Sequence, residues 1–455
     1  MKYTFYLKKT LSFFLFIPFL FFSCKKECKL SPAECHVYEN SGSDCTKTKE
    51  KNAPVVASLK EIIHPISGSD PTLNMEELSA IGDYIGSAYF VGLGEATHGT
   101  REFFQMKDRL FRYLVQNHGF KVMGFEATWG GALYVNQYVL QGIGTAKKTV
   151  RKMKFWTWET EEVIALVEWM RAYNLAHPDE EPLQFYGFDM QSVDEEYFWI
   201  KDYLSDLDLD LFNSIDTLLK PYVSVADYQT YPSLSETRKN KFKADLVKAK
   251  KLFENKESNL VALSSQQEYD LIHQAFVIFI QNEDILDPKF GKGRDFYMAR
   301  NSEWIRNYVQ PRTKVALWAH NGHVTKGDFW AEGAELYEAH AGNYKVIGFS
   351  FSKGSFQAYQ PKGVGLTTNN VVEEMDCQTV NALMADVGED NYYIIFDELE
   401  STSAAYKYFH KKNPFFMLGS VFYPDSQNTF ISLVNLPEHY DILIYFKESH
   451  FAKPY

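Results

Sequence analysis

The stretch GLGEATHGTREFF, residues 92–104, places two glutamates, a histidine and an arginine directly after the apolar run AYFV at 88–91. From 101 to 115 apolar residues recur at spacings of three and four, and Asn117-His118-Gly119 supplies a stop, which predicts a helix. A second apolar run, KVMGFEA at 121–127, follows that helix. Together the three segments predict a β-α-β unit whose first strand ends in charged residues.

Further apolar runs with polar ends occur along the rest of the chain: LQFYGFD (183–189), KVALWAHN (314–321), YKVIGFSF (344–351), YYIIFDE (392–398) and YDILIYF (440–446). Most are followed by helical patterns, and further helices are expected after Thr128 and at 160–173. Strands that alternate with helices predict an α/β fold, with a mostly parallel sheet flanked by helices. Residues 202–291 carry mixed charge and few strand signals, so we expect a large helical insertion there that acts as a lid.

The first 23 residues have the pattern of a secretory signal peptide. Three lysines precede an apolar run at 11–22, which is too short to span a bilayer comfortably, and Phe-Ser-Cys follows. A small residue before cysteine resembles a bacterial lipoprotein box, in which Cys24 receives the lipid; an ordinary cleaved signal is the alternative. We therefore expect a protein of the bacterial cell envelope, lipid-anchored to the membrane through Cys24, on its periplasmic or surface face.

Residues 24–53 are polar and predict a flexible tether, which leaves 54–455 for the α/β domain. The tether holds Cys28, Cys35 and Cys45, whereas Cys377 lies far away in the sequence. One disulfide in this tail is plausible for an exported protein, but the sequence does not choose its pairing.

The overall charge argues against one class of partner. The whole chain has a formal charge of −12, and without the leader 44 basic residues face 59 acidic ones. Nucleic acid is therefore not an expected partner.

Ionisable residues lie at or just beyond the ends of several predicted strands: Glu95, Glu126, Asp189, His320 and His323. Any one of them alone could be a helix cap or a satisfied turn residue. Ligands bind at the C-terminal edge of an open α/β sheet, so the convergence of these five residues on that edge predicts a functional site.

The residue types in this cluster suit hydrolysis by activated water. No GxSxG motif marks a serine nucleophile, so a neutral histidine that deprotonates water is the expected general base, with a carboxylate beside it to fix the tautomer. Arg101 and the backbone N–H groups of Gly99 and Thr100 are expected to stabilise an oxyanion. The residues expected to contact a small-molecule substrate are Glu102, Trp129 and Asp189.

Four separated motifs resemble, in order, those of the erythromycin esterase family: GEATHGTREF (94–103), GFEATWGGALYVNQYV (124–139), RDFYMARNSEWI (294–305) and LWAHNGHV (317–324). The resemblance implies an α/β hydrolase with helical insertions, in a family whose best-known members open macrolide lactone rings. It implies that His98 is the general base and that Glu95 and Glu126 are its acidic companions. His320 and His323 would form a distal pair. The family also places a basic residue in the first helix, where both Lys107 and Arg109 are available.

The same Glu and His residues are legitimate ligands for zinc, iron or manganese. A metal-dependent hydrolase, or a lipoprotein that binds metal or haem, is therefore the alternative. Because Arg101 stands beside the cluster and would oppose a cation, we expect a hydrolase that needs no metal and no other cofactor.

Overall fold

The computed structural model describes residues 44–287, 293–310 and 313–455. The predicted signal peptide at 1–23, the predicted lipidation site Cys24 and the first part of the predicted tether lie outside the described residues. Within the described part, no helix has the length and apolar character needed to cross a membrane.

The described residues contain strands that include all seven predicted ones. The strands are β1 (His64–Pro65), β2 (Phe90–Leu93), β3 (Phe120–Thr128), β4 (Gln184–Asp189), β5 (Lys314–Trp318), β6 (Tyr344–Gln360), β7 (Gly365–Val372), β8 (Asn391–Ile395), β9 (Asn413–Phe416), β10 (Ile431–Val434) and β11 (Ile442–Ser449). The predicted runs correspond to β2, β3, β4, β5, β6, β8 and β11. β7 carries Thr and Asn through its middle and is buried only at Asn370 and Val372, so no continuous buried apolar run marks it in the sequence.

In the described part of the chain, one sheet has the order β1-β8-β11-β6-β2-β5-β3-β4, with β7 beside β6. The strands from β11 through β4 are mutually parallel. β1, β7 and β8 are antiparallel to their neighbours, and β9 pairs with β10 in a separate ribbon. The predicted mostly parallel sheet is confirmed.

Helices cover both faces of the sheet. They are α1 (Cys45–Lys60), α2 (Ser79–Ile85), α3 (Arg101–His118), α4 (Trp129–Gln141), α5 (Ala146–Val150), α6 (Glu161–Ala176), α7 (Asp194–Leu207), α8 (Leu209–Val223), α9 (Glu236–Glu254), α10 (Glu257–Leu263), α11 (Gln266–Leu286), α12 (Arg294–Val309), α13 (Asn321–Val324), α14 (Glu332–His340), α15 (Val380–Asp386), α16 (Ala404–Phe409) and α17 (Leu436–His439). Along β5, Leu317 packs into one core while Ala316 and Trp318 pack into the other. This alternation is what a strand buried on both faces requires.

Helix α3 forms where its sequence pattern predicts it. Thr100 precedes it in an extended conformation, and Gly119 ends it with φ 70°, a left-handed conformation that glycine adopts without steric cost. Its apolar face, which includes Phe103, Leu110 and Leu114, is fully buried. Each such side chain contributes about 2 kcal/mol by leaving water, so the face anchors α3 against the sheet and fixes the preceding loop.

Between β4 and β5 the described residues are helical, from α7 to α12. Helices α8 to α11 fall inside the range 202–291, and their buried side chains belong to the same core that covers one face of the sheet. The Asn282 side chain of α11 donates to Met190 O at 2.8 Å. This contact holds the end of α11 beside the C-terminal end of β4.

The predicted tether extends too far into the chain, because α1 already begins at Cys45. Asp44 caps this helix by accepting from Thr46 N at 3.1 Å, and Leu59 is fully buried. A disulfide joins Cys45 to Cys377 across 332 residues. The polar residues at the start of α1 bury too little apolar surface to order themselves. The disulfide to the domain and the buried face of α1 stabilise them instead.

Candidate active site

Strands β2, β5, β3 and β4 are neighbours in the sheet, and their C-terminal ends bring six of the predicted residues together. The six are Glu95, His98, Glu126, Asp189, His320 and His323. The imidazole rings of His98 and His320 lie 5.0 Å apart between centroids. His323 Nε2 lies 3.3 Å from Glu126 Oε1. Segments separated by more than 200 residues therefore meet at one edge.

His98 and Glu95 form a hydrogen-bonded pair. Nδ1 of His98 lies 2.7 Å from Oε1 of Glu95, and the second oxygen of Glu95 binds the ammonium of Lys107. Because the carboxylate accepts on both oxygens, we assign the imidazole proton to Nδ1, which leaves the Nε2 lone pair free to take a proton. Glu95 is fully buried, whereas 13% of the His98 side chain is exposed.

The structure decides between the two basic residues of α3. Lys107 points to Glu95 and lies 4.2 Å from the centroid of the Trp318 ring. Burial lowers the pKa of Lys107 to about 8, although Glu95 works to raise it. Arg109 points elsewhere and donates to the carbonyl of Gly68 at 2.7 Å. Lys107 is therefore the basic residue of the site.

Arg294, the first residue of α12, binds two carboxylates of the cluster and lies beside His323. Its Nε and Nη2 donate to the two oxygens of Asp189 at 3.0 and 2.7 Å. Nη2 also donates to Glu126 at 2.7 Å, and Nη1 lies 3.1 Å from His323 Nε2. Asp189 is fully buried, so its role is to hold the guanidinium.

Glu126 accepts from several donors. Its Oε2 accepts the backbone N–H of His320 at 3.0 Å, and its Oε1 accepts from Arg294. Burial works to raise the pKa of Glu126, but His323 and Arg294 hold it well below its usual range. Glu126 is therefore a carboxylate that organises the cations around it, and the hydrogen-bonded companion of His98 is Glu95.

His323 is held by a second carboxylate. Its Nδ1 lies 2.6 Å from Asp295 Oδ1. Burial and Arg294 oppose a charge on this ring, but Asp295 and Glu126 outweigh them and raise the pKa of His323 well above its usual value. His323 is therefore an imidazolium at neutral pH.

Behind this pair, burial raises the pKa of Glu332 to about 8, although Ser302 donates to its carboxyl at 2.7 Å. The backbone N–H of Glu332 donates to Asp295 at 3.2 Å. Glu332 thus supports Asp295 while its own carboxyl stays neutral at pH 7.

His320 has both ring nitrogens occupied. Nδ1 accepts from the backbone of Gly322 at 3.1 Å, and Nε2 faces the carbonyl of Leu418 at 3.0 Å. Nε2 must therefore carry the proton, and the ring is neutral. Burial, together with His98 and His323, lowers the pKa of His320 to about 3. His320 forms a wall of the site, and its geometry leaves no nitrogen for proton transfer.

Three predicted site residues lie outside the cluster, and their assignment is corrected. Arg101 pairs with Glu162 on α6 at 3.4 Å. Glu102 accepts from His450, both from its backbone at 2.7 Å and from its ring at 2.8 Å. Trp129 is fully buried in the core of the fold. Some side chains in the first turn of a helix point away from the preceding strand end. Their proximity to that strand end in the sequence does not show which ones do so.

Arg294 and Asp295 are the functional candidates that strand-end reasoning missed. They stand at the start of a helix, not after a strand, so the search for polar strand ends passes over them. The available signal was the pair Arg-Asp at the opening of RDFYMARNSEWI, since adjacent opposite charges at a helix start are positioned to reach different partners.

The arrangement combines a base with nearby cations. His98 is backed by Glu95 through Nδ1, while Arg294 and His323 carry positive charge beside Glu126. Among the residues that the structure describes, no group of three or more His, Cys, Asp or Glu side chains is arranged to hold a metal ion. Base and cation side by side can deprotonate water and stabilise an oxyanion.

Comparison with known proteins identifies the family. A family model described as erythromycin esterase matches residues 115–449, a range that includes Glu126, Arg294 and His323 but begins after His98. YbfO of Bacillus subtilis strain 168, whose name proposes a hydrolase, is 28% identical over 258 residues, which are 52% of this chain and 56% of that protein. This chain thus spans a little over half the length of that relative.

A second relative, the erythromycin esterase type II of Escherichia coli, is 22% identical and covers 73% of this chain and 86% of its own length. Among solved structures, a succinoglycan biosynthesis protein has a TM-score of 0.78 at 26% identity, covering 89% of this chain and 99% of its own.

A mutant of the erythromycin esterase EreC in its open conformation has a TM-score of 0.62 at 16% identity, covering 84% of this chain and 96% of its own; that likeness concerns the fold. The resemblance drawn from four sequence motifs is thereby confirmed. This chain belongs to the erythromycin esterase family of hydrolases.

Proposed function

We propose that this protein hydrolyses a carboxylic ester or lactone with a water molecule activated by His98. The observation that carries the proposal is the relay Lys107–Glu95–His98, in which a buried carboxylate accepts from His98 Nδ1 at 2.7 Å. The relay fixes one tautomer and leaves Nε2 as the ring nitrogen that takes the proton. Such a pairing is how proteins prepare an imidazole as a general base.

The proton balance of the reaction follows from this geometry. Water transfers a proton to His98 Nε2 as its oxygen attacks the carbonyl carbon, and Glu95 stabilises the resulting imidazolium. The tetrahedral oxyanion then collapses and breaks the bond to the alcohol oxygen. That alkoxide takes the proton back from His98, which restores the neutral ring. Lactone hydrolysis differs only in that both products remain in one molecule.

The oxyanion needs a positive partner, and Arg294 and His323 are suited to supply it. The exposed fractions of their side chains are 21% and 17%, so both reach the open side of the site. Their orientation is fixed before substrate arrives, because Asp189, Asp295 and Glu126 hold them. Cations oriented in advance stabilise developing charge without further reorganisation.

The substrate class is tested with the purified chain and a panel of nitrophenyl esters, simple lactones and a macrolide lactone. Mass spectrometry detects the gain of one water, and His98→Ala serves as the inactive reference. Hydrolysis by the wild type and not by the variant supports the proposal. Hydrolysis that survives in His98→Ala would remove the proposed base.

We further propose that the protein is exported and lipid-anchored at Cys24 in the bacterial cell envelope. The signal-like segment at 1–23 supports this, as does the disulfide between Cys45 and Cys377, because disulfides persist mainly in oxidising compartments. Metabolic labelling with a radioactive fatty acid tests it. Label should enter the wild type and be lost in Cys24→Ala, and an unlabelled wild type would reject the anchor.

A further inference from the structure

The loop that carries His98 is held from two sides. Its first half is fixed by neighbouring loops, since Glu95 O accepts from Asn321 N at 2.9 Å and Ala96 O accepts from Leu418 N at 2.9 Å. Its second half, after His98, has no support from these segments. What holds it is β6 on one side and the residues that follow β11 on the other.

Gly99 is the point where the second half is clamped. Its carbonyl accepts from Gln357 N at 3.0 Å and from Ala452 N at 2.9 Å. A Cβ on Gly99 would collide with the Gln357 carbonyl, so only glycine allows this approach. Because Gly99 directly follows His98, fixing its carbonyl also restricts the backbone that carries the imidazole.

Residues 450–455, named the strap here, continue this clamp along α3 and α6. Arg101 N donates to His450 O at 2.8 Å, and Thr100 forms an antiparallel bridge with Phe451. His450 donates in return to Glu102. Through these contacts Arg101 and Glu102 attach the loop to the strap, which is why they lie outside the catalytic cluster.

The far end of the strap is anchored away from the catalytic cluster. Lys453 N donates to Glu162 Oε2 at 3.0 Å, and the Lys453 ammonium lies 2.9 Å from Glu161. The Tyr455 hydroxyl donates to Lys147 O at 3.0 Å. The strap is thus fastened to α5 and α6 at one end and touches the His98 loop at the other.

We propose that the strap is a positioning element that holds the His98 loop in its productive conformation through Gly99. Its kinetic consequence rests on the proposed role of His98 as the base, while its effect on loop order does not. The residues concerned act through His98 and touch no substrate. A base displaced by a fraction of an ångström loses alignment with water, which lowers kcat more than KM.

Two proline variants separate this role from general stability. Ala452→Pro removes the N–H that Gly99 accepts, and its preceding residue is already extended, as proline requires. Lys453→Pro removes the neighbouring N–H, which binds Glu162 and not the loop. Ala452→Gly keeps the N–H and is the conservative rescue.

Hydrogen exchange of the loop peptide 95–104 and steady-state kinetics are measured for all three. We expect Ala452→Pro to speed exchange of that peptide and to lower kcat on the order of tenfold or more, with KM nearly unchanged. Ala452→Gly should match the wild type in both, and Lys453→Pro, which loses one anchor of the far end and keeps the bond to Gly99, should change both by less than Ala452→Pro does. Two results would contradict the proposed role of the strap: unchanged exchange and kcat in Ala452→Pro, or an equal rise in exchange in Lys453→Pro.

Two further outcomes are distinguishable. If no ester or lactone is cleaved by the wild type, the proposed function fails, while hydrogen exchange still tests whether the strap orders the loop. If Ala452→Pro does not fold, Glu102→Ala removes the acceptor of His450 from the loop side. Faster exchange of the same peptide in that variant supports the strap, and wild-type exchange rejects it.

Discussion

The imidazole of His98 donates from Nδ1 to Glu95 Oε1 across 2.7 Å, and Glu95 is itself bound by the buried ammonium of Lys107. Charge is thus balanced inside the protein before any substrate arrives. The pairing leaves Nε2 as the atom that, in the proposed mechanism, takes the proton from water.

His98→Ala should therefore abolish hydrolysis without unfolding the protein. The side chain lies in a loop and is partly exposed, so its loss removes little buried surface, whereas loss of a general base typically costs about a hundredfold to ten-thousandfold in kcat. Ester turnover and thermal unfolding are the measurements. His177→Ala is the matched control, because His177 ends α6 at the opposite edge of the sheet. Equal losses in both variants would contradict a specific role for His98.

Arg294→Lys should lower kcat by about a hundredfold or more, the usual effect of losing one donor to an oxyanion. A single ammonium cannot hold Asp189 through two parallel bonds and also reach Glu126, so the cation loses its fixed orientation. Arg300→Lys, on the exposed side of the same helix, should behave as wild type. The comparison is made by initial rates at saturating substrate. If Arg294→Lys changed KM alone, Arg294 would be a binding residue.

Glu332 should make stability depend on pH. Burial raises the pKa of Glu332 in the folded protein to about 8, whereas the unfolded chain has an ordinary carboxyl. The folded state therefore binds more protons between roughly pH 4.5 and 8. As pH rises through that window, this group lowers the free energy of unfolding by up to about 1.4 kcal/mol per pH unit.

Glu332→Gln removes this titration, so the variant should gain stability relative to wild type from pH 5 to pH 8 and hold the gain above it. Urea unfolding at several pH values measures the difference. Glu338→Gln, at an exposed position of the same helix, should show no such trend. A constant difference between Glu332→Gln and wild type at all pH values would contradict a raised pKa for this group.

Chelation should leave ester cleavage intact. Both ring nitrogens of His320 and Nδ1 of His98 and of His323 already have protein partners. A guanidinium also stands among the carboxylates, which opposes a divalent cation. Activity after prolonged dialysis against a chelator, with elemental analysis and an absorbance scan for haem, is the measurement. A stoichiometric metal whose removal stops turnover would establish the metal-dependent alternative.

Strand ends were predictable from the sequence because a buried parallel strand leaves a continuous apolar run that stops where polar residues begin. This is why Glu95, Glu126 and Asp189 were found. Lys107 and Arg109 are two positions apart, so they point to different sides of α3 and periodicity does not say which side faces the sheet edge. The clamp on Gly99 and the disulfide at Cys45 join segments more than 250 residues apart, and no local pattern records such contacts.

Tyr228 should contribute to substrate binding from the helical insertion. It lies between α8 and α9, where the Tyr222 hydroxyl donates to Asn282 at 2.6 Å and Asn282 in turn reaches Met190 O at 2.8 Å. These bonds hold the segment next to Asp189 and Arg294. Although 38% of Tyr228 is exposed, desolvation of its hydroxyl end raises its pKa above the usual value, Arg294 opposes the shift and the Asp189 carboxylate adds to it.

We expect Tyr228→Ala to raise KM on the order of tenfold with little change in kcat, because a wall residue of a lid binds substrate and transition state alike. Tyr228→Phe separates the ring from the hydroxyl: if it behaves as wild type, the ring provides the contact. Leu263→Ala, which is 61% exposed elsewhere on the insertion, is the control and should leave KM unchanged. A fall in kcat alone for Tyr228→Ala would place this residue in the chemical step and reject the insertion as a binding lid.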